Sequence, residues 1–186
     1  MRNVPDVAEV VLAIINPIHL YDVVTDVKLT GDFMSIQIVE ERPDTNDATA
    51  LIMELEAVLQ PLYAPESRHG FSIEKLLNQG VAFFVSRYNG EPAGCGGIKL
   101  FGTDYAEVKR MYVRPQFRGH GLGKRMLEHL EAYTKQHGIS VLRLETGVYQ
   151  TEAIGLYEAY GFKRIPPFGD YFDDPVSLCY EKRLDG

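Results

Sequence analysis

Residues 114–124 read Arg114-Pro115-Gln116-Phe117-Arg118-Gly119-His120-Gly121-Leu122-Gly123-Lys124. Three alternating glycines run straight into a segment whose apolar residues Leu122, Met126, Leu127, Leu130 and Tyr133 recur at helical spacing up to Gly138. Glycine lets backbone approach a ligand without side-chain obstruction, and the unpaired N–H groups of a helix start point at whatever sits there. Such a place favours a pyrophosphate. Glycines at a helix entry can also serve tight packing alone, but Arg114, Arg118, Lys124 and Arg125 around this one point to an anion. Spacing excludes two other phosphate loops. A Walker A loop needs glycine five positions before Gly123 and Ser or Thr after Lys124, where Arg118 and Arg125 stand. A dinucleotide fingerprint needs GxGxxG, and Gly119, Gly121 and Gly123 run GxGxG.

Upstream of the loop the pattern is that of a β-meander. Val81 to Tyr88 is rich in β-branched and aromatic residues, Asn89-Gly90 is a hairpin turn, and Ala93 to Leu100 returns as its partner. Tyr105 to Val113 follows the Gly102-Thr103-Asp104 turn as a third strand. Further upstream, Ser35 to Glu40 alternates as a strand, Glu41 to Asp47 is a polar loop, and Ala48 to Leu59 carries Leu51, Ile52, Leu55, Val58 and Leu59 at helical spacing. Pro61 to Gly70 is irregular, and Ser72 caps a short helix to Asn78. Downstream, Val141 to Glu145 reads as a strand, Thr151 to Tyr160 as a helix stopped by Gly161, and Val176 to Arg183 as a last strand. There is no internal repeat.

With 186 residues, 45% hydrophobic and 24% charged, the chain has the size and composition of one soluble globular domain. Residues 1–33 do not fit the pattern that follows and are expected to form an N-terminal extension to a domain spanning 34–186. The apolar run Val10 to Ile15 falls far short of the roughly 20 residues that cross a bilayer. Asp6 and Glu9 break up a signal-peptide reading, so a cytoplasmic protein without membrane attachment is expected. Cys95 and Cys179 form no CxxC pair and read as buried strand residues; the five histidines lack ligand spacing and read as surface or loop residues. No metal is expected. A net charge of −7 argues against charge-driven nucleic-acid binding. Between Lys109 and Arg143, however, Lys109, Arg110, Arg114, Arg118, Lys124, Arg125, Lys135 and Arg143 face only Glu128 and Glu131, a local basic patch suited to a small phosphorylated ligand.

Three pieces together resemble the GNAT acetyltransferases. Arg118-Gly119-His120-Gly121-Leu122-Gly123 matches their [Q/R]-x-x-G-x-[G/A] loop, Ala106 to Val113 their central strand, and Ala153-Ile154-Gly155-Leu156-Tyr157-Glu158-Ala159-Tyr160-Gly161-Phe162 their AxxLYxxxGF segment. The likeness extends over Ser35 to Leu184 in order and spacing. It implies a mixed α/β three-layer domain with a mostly antiparallel sheet splayed near Val113, and acetyl-CoA as acyl donor to a small amine. Arg118, Gly119, His120, Gly121, Leu122, Gly123 and Lys124 would hold the pyrophosphate, while the backbone of Met111, Tyr112 and Val113 would take the pantetheine like an added strand. Where the family often has Asn, three residues before Ala153, this chain has Gln150, an amide on a longer stem.

The same resemblance implies Tyr157 as the acid that protonates the departing thiolate, against a simple packing role beside Leu156 and Phe162. It implies Glu107 as the base, against an edge-strand glutamate facing solvent. A phenol with an ordinary pKa near 10 is protonated at neutral pH, as a donor must be. The acceptor would lie among Tyr63, Glu66, Arg68, Asp170 and Tyr171. The expected activity is N-acetylation of an amino acid, polyamine or similar amine by direct attack in a ternary complex. A non-catalytic acyl-CoA sensor, or an enzyme acting on a protein or peptide amine, is the alternative. A homodimer is compatible with the sequence.

Overall fold

A computed structural model describes residues 35–64 and 72–184. The N-terminal extension, His19, His69 and the acceptor candidates Glu66 and Arg68 lie outside the described residues.

Strands β1 (Ile36–Glu40), β2 (Ala82–Tyr88), β3 (Glu91–Phe101) and β4 (Tyr105–Val113) form the meander, each antiparallel to the next. Strand β5 (Val141–Gly147) lies parallel to β4, and β7 (Ser177–Arg183) pairs antiparallel with both β5 and β6 (Lys163–Ile165). The sheet order is β1-β2-β3-β4-β5-β7-β6. A parallel pair needs a crossover, and helix α3 (Leu122–Gln136) provides it between β4 and β5. Helices α1 (Asn46–Leu59) and α2 (Ile73–Asn78) precede β2, and α4 (Thr151–Ala159) follows β5.

The three expected layers are present. Leu51, Ile52 and Leu55 of α1 and Leu76 of α2 pack on Phe83, Val85, Cys95 and Tyr112 from one sheet face. On the other, Met126, Leu127 and Leu130 of α3 and Tyr157 of α4 pack on Phe84, Ile98, Ala106, Val108, Leu142, Leu144 and Tyr180. Helix α1 begins at Asn46, two residues before the apolar periodicity, because Thr45 Oγ1 accepts the Ala48 N–H at 3.3 Å. Ser72 caps α2 as expected, accepting from the Lys75 N–H at 3.2 Å. Strand β6 was not evident in the sequence: Lys163-Arg164-Ile165 is too short and polar to alternate, and only pairing with β7 makes it a strand. Both cysteines are buried in strands. His129 departs from expectation: its ring turns inward on Phe84, edge to face at 4.5 Å between centroids.

Candidate active site

The feature that organises the site is a gap within the sheet. Strands β4 and β5 pair only at Ala106–Leu142, Glu107–Arg143 and Val108–Leu144. Both continue, β4 to Val113 and β5 to Gly147, yet the ladder stops. The splay therefore begins at Lys109 and runs on to the expected Val113. Its local cause is a bulge: β3 keeps register with β4 at Gly97–Lys109 and Cys95–Tyr112, so Arg110 and Met111 together oppose Gly96. Arg110 adopts φ +55°, an uncommon backbone for a residue with a side chain. Its guanidinium is ion-paired with Glu56 of α1, and its carbonyl accepts the Cys95 thiol at 3.3 Å.

On the α3 face, the gap meets the glycine loop. Gly119 and Gly121 have φ +82° and +80°, and added side chains there would meet nothing within 4 Å. Gly121 is the N-cap of α3 and gives it no side-chain cap, so the first N–H groups of the helix remain open to an incoming acceptor. This open, donor-rich cradle fits a pyrophosphate. Gly123 has a packing role: a Cβ there would stand 2.9 Å from Leu156 Cδ2 of α4. Leu122 is buried and anchors the helix start. His120 braces the loop, with its ring 4.8 Å from Tyr88 and Nδ1 3.2 Å from the carbonyls of Phe117 and Arg118. Met111 packs with the α3-side core, while Tyr112 faces α1.

The expected basic patch is largely spent on structure. Arg114 forms a two-pronged pair with Glu54 of α1 and donates to the Pro92 carbonyl at 2.6 Å. Lys109 pairs with Glu107, Arg110 with Glu56, Lys135 with Glu131 and Arg143 with Glu181. The carboxylates come from α1, β4, α3 and β7, distant in sequence except within β4 and α3. Arg118, exposed and 3.5 Å from Glu152, and Lys124, 3.6 Å from Glu128, stand at the loop itself.

On the opposite face, the gap opens on a polar basin. Glu107 does not face solvent: its side chain is 3% exposed and pairs with Lys109. Tyr171, from the segment between β6 and β7, donates to Glu107 Oε1 at 2.6 Å and accepts from Lys109 Nζ at 2.7 Å. Burial pushes the Tyr171 phenol far above its ordinary pKa, and the Glu107 charge adds to this. Burial lowers the Lys109 pKa while Glu107 opposes it. Across the gap, Glu145 is the first residue of β5 beyond the ladder. One of its oxygens accepts from Ser177 Oγ at 2.6 Å, and its charge acts on Tyr63, Lys109, Tyr157 and Tyr171 alike. Sequence reading missed Glu145. Its signal was the position opposite Lys109 at the end of a parallel ladder, which needs the register.

Tyr63 closes the far end of the basin. Its hydroxyl accepts the Tyr149 N–H at 3.0 Å and lies beside the Gln150 side chain. Gln150 caps α4 without a side-chain bond to the helix. Asp170 is exposed, outside the basin, where its charge bears on Tyr105. Tyr157 lies under the gap from the α4 side, 6% exposed, and among the described residues its hydroxyl has no hydrogen-bond partner. Burial, then the Glu145 charge, raises its pKa well beyond the ordinary phenol value. Among the described residues, no group of three His, Cys, Asp or Glu side chains could hold a metal ion, and no helix is long and apolar enough to cross a membrane.

Comparison with known proteins agrees with this geometry. Residues 49–162, more than half of the chain, match the Acetyltransferase (GNAT) family. The chain is 42% identical over 151 residues to an IAA acetyltransferase of Azospirillum brasilense, covering 81% of this chain and 99% of the relative. A putative acyl-CoA N-acyltransferase of Klebsiella pneumoniae has a crystal structure that superposes with TM-score 0.69 at 35% identity, covering 81% of this chain and 98% of that one. The fold is shared by the PaiA N-acetyltransferase of Thermoplasma acidophilum, solved in complex with coenzyme A, with TM-score 0.65, 24% identity and coverage of 81% and 99%. The passage between two diverging strands, with an open glycine loop on one side and carboxylates on the other, thus belongs to a member of the GNAT family, an acetyl-CoA-dependent N-acetyltransferase.

Proposed function

We propose that this chain acetylates the primary amine of a small molecule, such as an amino acid or polyamine, by direct attack in a ternary complex. The observation that carries the reading is the divergence of β4 from β5 after Val108 and Leu144, which joins the glycine loop and the carboxylate basin through one passage. Residues 118–124 hold the pyrophosphate through helix-start N–H groups, with Arg118 and Lys124 at the rim. The unpaired inner edge of β4 at Met111, Tyr112 and Val113 takes the pantetheine, and Gln150 contacts it from the start of α4. Bound acetyl-CoA supplies the thioester that is cleaved.

The residues of this chain then divide the proton work. Glu107 or Glu145 takes the proton of the acceptor ammonium, directly or through water. Tyr157 donates to the departing sulfur, for which a buried, protonated phenol is suited. Tyr63 and Tyr171 frame the acceptor, with Asp170 at the outer approach; Glu66 and Arg68 remain acceptor candidates on sequence alone. Two hydroxyls and two carboxylates around one basin support a small cationic amine over a protein surface. The test is acetyl-CoA-dependent thiol release against amino acids, polyamines, aminoglycosides and peptide N-termini, with IAA included because a relative bears its name. Turnover of a small amine supports the reading. Turnover of peptides alone favours a protein acceptor, and coenzyme binding with no turnover favours an acyl-CoA sensor.

A further inference from the structure

An amine of the protein itself stands beside the carboxylates proposed to receive the acceptor. Lys109 is the first residue of β4 beyond the ladder with β5, and Glu145 is the first of β5. The Lys109 side chain is 9% exposed, paired with Glu107, and within the field of Glu145 across the gap. Its ammonium therefore contacts one of the two carboxylates proposed to receive the acceptor and lies within the electrostatic reach of the other. A carboxylate in direct contact can take its proton, and Tyr171 fixes its position at 2.7 Å. Burial favours the neutral amine, the form that attacks a carbonyl.

We infer that Lys109 is a self-acetylation site, modified at Nζ by acetyl-CoA held in this chain's own gap when no external amine is present. The inference rests on the proposed seating of acetyl-CoA in that gap. The Lys109 nitrogen attacks the acetyl carbonyl carbon, a carbon–nitrogen bond forms, and the carbon–sulfur bond breaks with its electron pair on sulfur. Lys109 sheds two protons in all. One passes to Glu107 and then to water; the other restores the Tyr157 phenol after Tyr157 has protonated the sulfur. The product is neutral acetyl-lysine, so Glu107 loses its cationic partner and the basin becomes more negative by one charge.

The purified full chain is incubated with acetyl-CoA and no amine, then its mass is measured and its acetylated peptides mapped. Exposed Lys124 and Lys135 serve as internal controls, because simple chemical acetylation modifies exposed amines first. The expected result is one acetyl group at Lys109, appearing at least about tenfold faster than at either control and slowed about tenfold or more in Glu107→Gln, where the proton acceptor is gone. Lys109→Arg should leave the mapped peptide unmodified. Acetylation at the exposed lysines with Lys109 unmodified overturns the inference. If the amine panel is turned over while Lys109 stays unmodified, self-acetylation fails and the proposed function stands. If calorimetry detects no coenzyme A binding, the reading of the gap itself fails.

Discussion

The ring of Tyr63 occupies the space that a side chain at residue 147 would need: a Cβ on Gly147 would stand 2.2 Å from both Cζ and Oη of Tyr63. Glycine at this point of β5 lets the segment after α1 reach across the basin and fasten the Tyr149 backbone. Gly147→Ala should displace the ring, lower stability by about 1–3 kcal/mol and raise the KM of the acceptor more than that of acetyl-CoA. Combined with Tyr63→Ala, it should cost less than the sum of the single changes, since the clash is then gone. Denaturant unfolding of the four chains checks this; strict additivity would refute the contact.

Tyr157→Phe should bind coenzyme A as the unaltered chain does and turn over roughly 10²–10⁴-fold more slowly, the range in which acid catalysis contributes. Because burial raises the phenol pKa above its ordinary 10, kcat of the unaltered protein should show no loss on the alkaline side attributable to this group below pH 10. Stopped-assay rates across pH, beside calorimetry of coenzyme binding, separate the two effects. Unchanged turnover in Tyr157→Phe would leave the ring a packing residue.

Arg114 and Gly121 should part company. Arg114→Ala removes the fork to Glu54 and the bond to Pro92, and is expected to cost about 1–3 kcal/mol of stability with little change in coenzyme A affinity. Gly121→Val puts a branched side chain at φ +80° in the open cradle and should abolish coenzyme A binding, with a smaller stability loss of about 1–2 kcal/mol. Calorimetry and thermal melts of both variants decide. A large affinity loss in Arg114→Ala would return that residue to the phosphate site.

Burial lowers the pKa of His129 below its ordinary 6.5. The unfolded chain therefore takes up this proton first as pH falls, so the stability His129 contributes is complete above pH 6.5 and is lost through the window below it. His129→Gln should flatten the melting temperature against pH in that window. An unchanged slope would show that other groups set it.

A chain beginning at Met34 is expected to be soluble, bind coenzyme A and transfer acetyl groups normally, because every site residue identified here follows that position. Aggregation or lost turnover would make residues 1–33 part of the core or of an interface.

What was legible in the sequence was whatever local spacing encodes. The Asn89-Gly90 hairpin, the α3 stripe from Leu122 to Leu130 and the Ser72 cap all depend on neighbours within a turn or a strand pair, and all appear where expected. The partners of Arg110 and Arg114 are not legible in the sequence, because Glu56 and Glu54 lie more than fifty residues away and only the packing of α1 on β4 brings them together. Glu107 was visible as a carboxylate on a strand, but its enclosure by Lys109 and Tyr171 was not: alternation gives a residue's face, not what a later segment lays over it. Glu145 needed the β4–β5 register.

The bare strand edges of the gap bear on self-association. An exposed edge invites pairing with another chain and is a route to aggregation. Residues 109–113 of β4 and 145–147 of β5 turn theirs toward each other within the sheet, closed at one end by the ladder at Ala106–Val108. A foreign strand in a growing aggregate meets the rim of a sheet, and the described rim is β1, which carries Glu40, and β6, only three residues long. The hydrogen-bonding groups left open by the bulge at Arg110 can thus be reached by a slender molecule entering lengthwise, while neighbouring copies in a crowded solution cannot use them as a template.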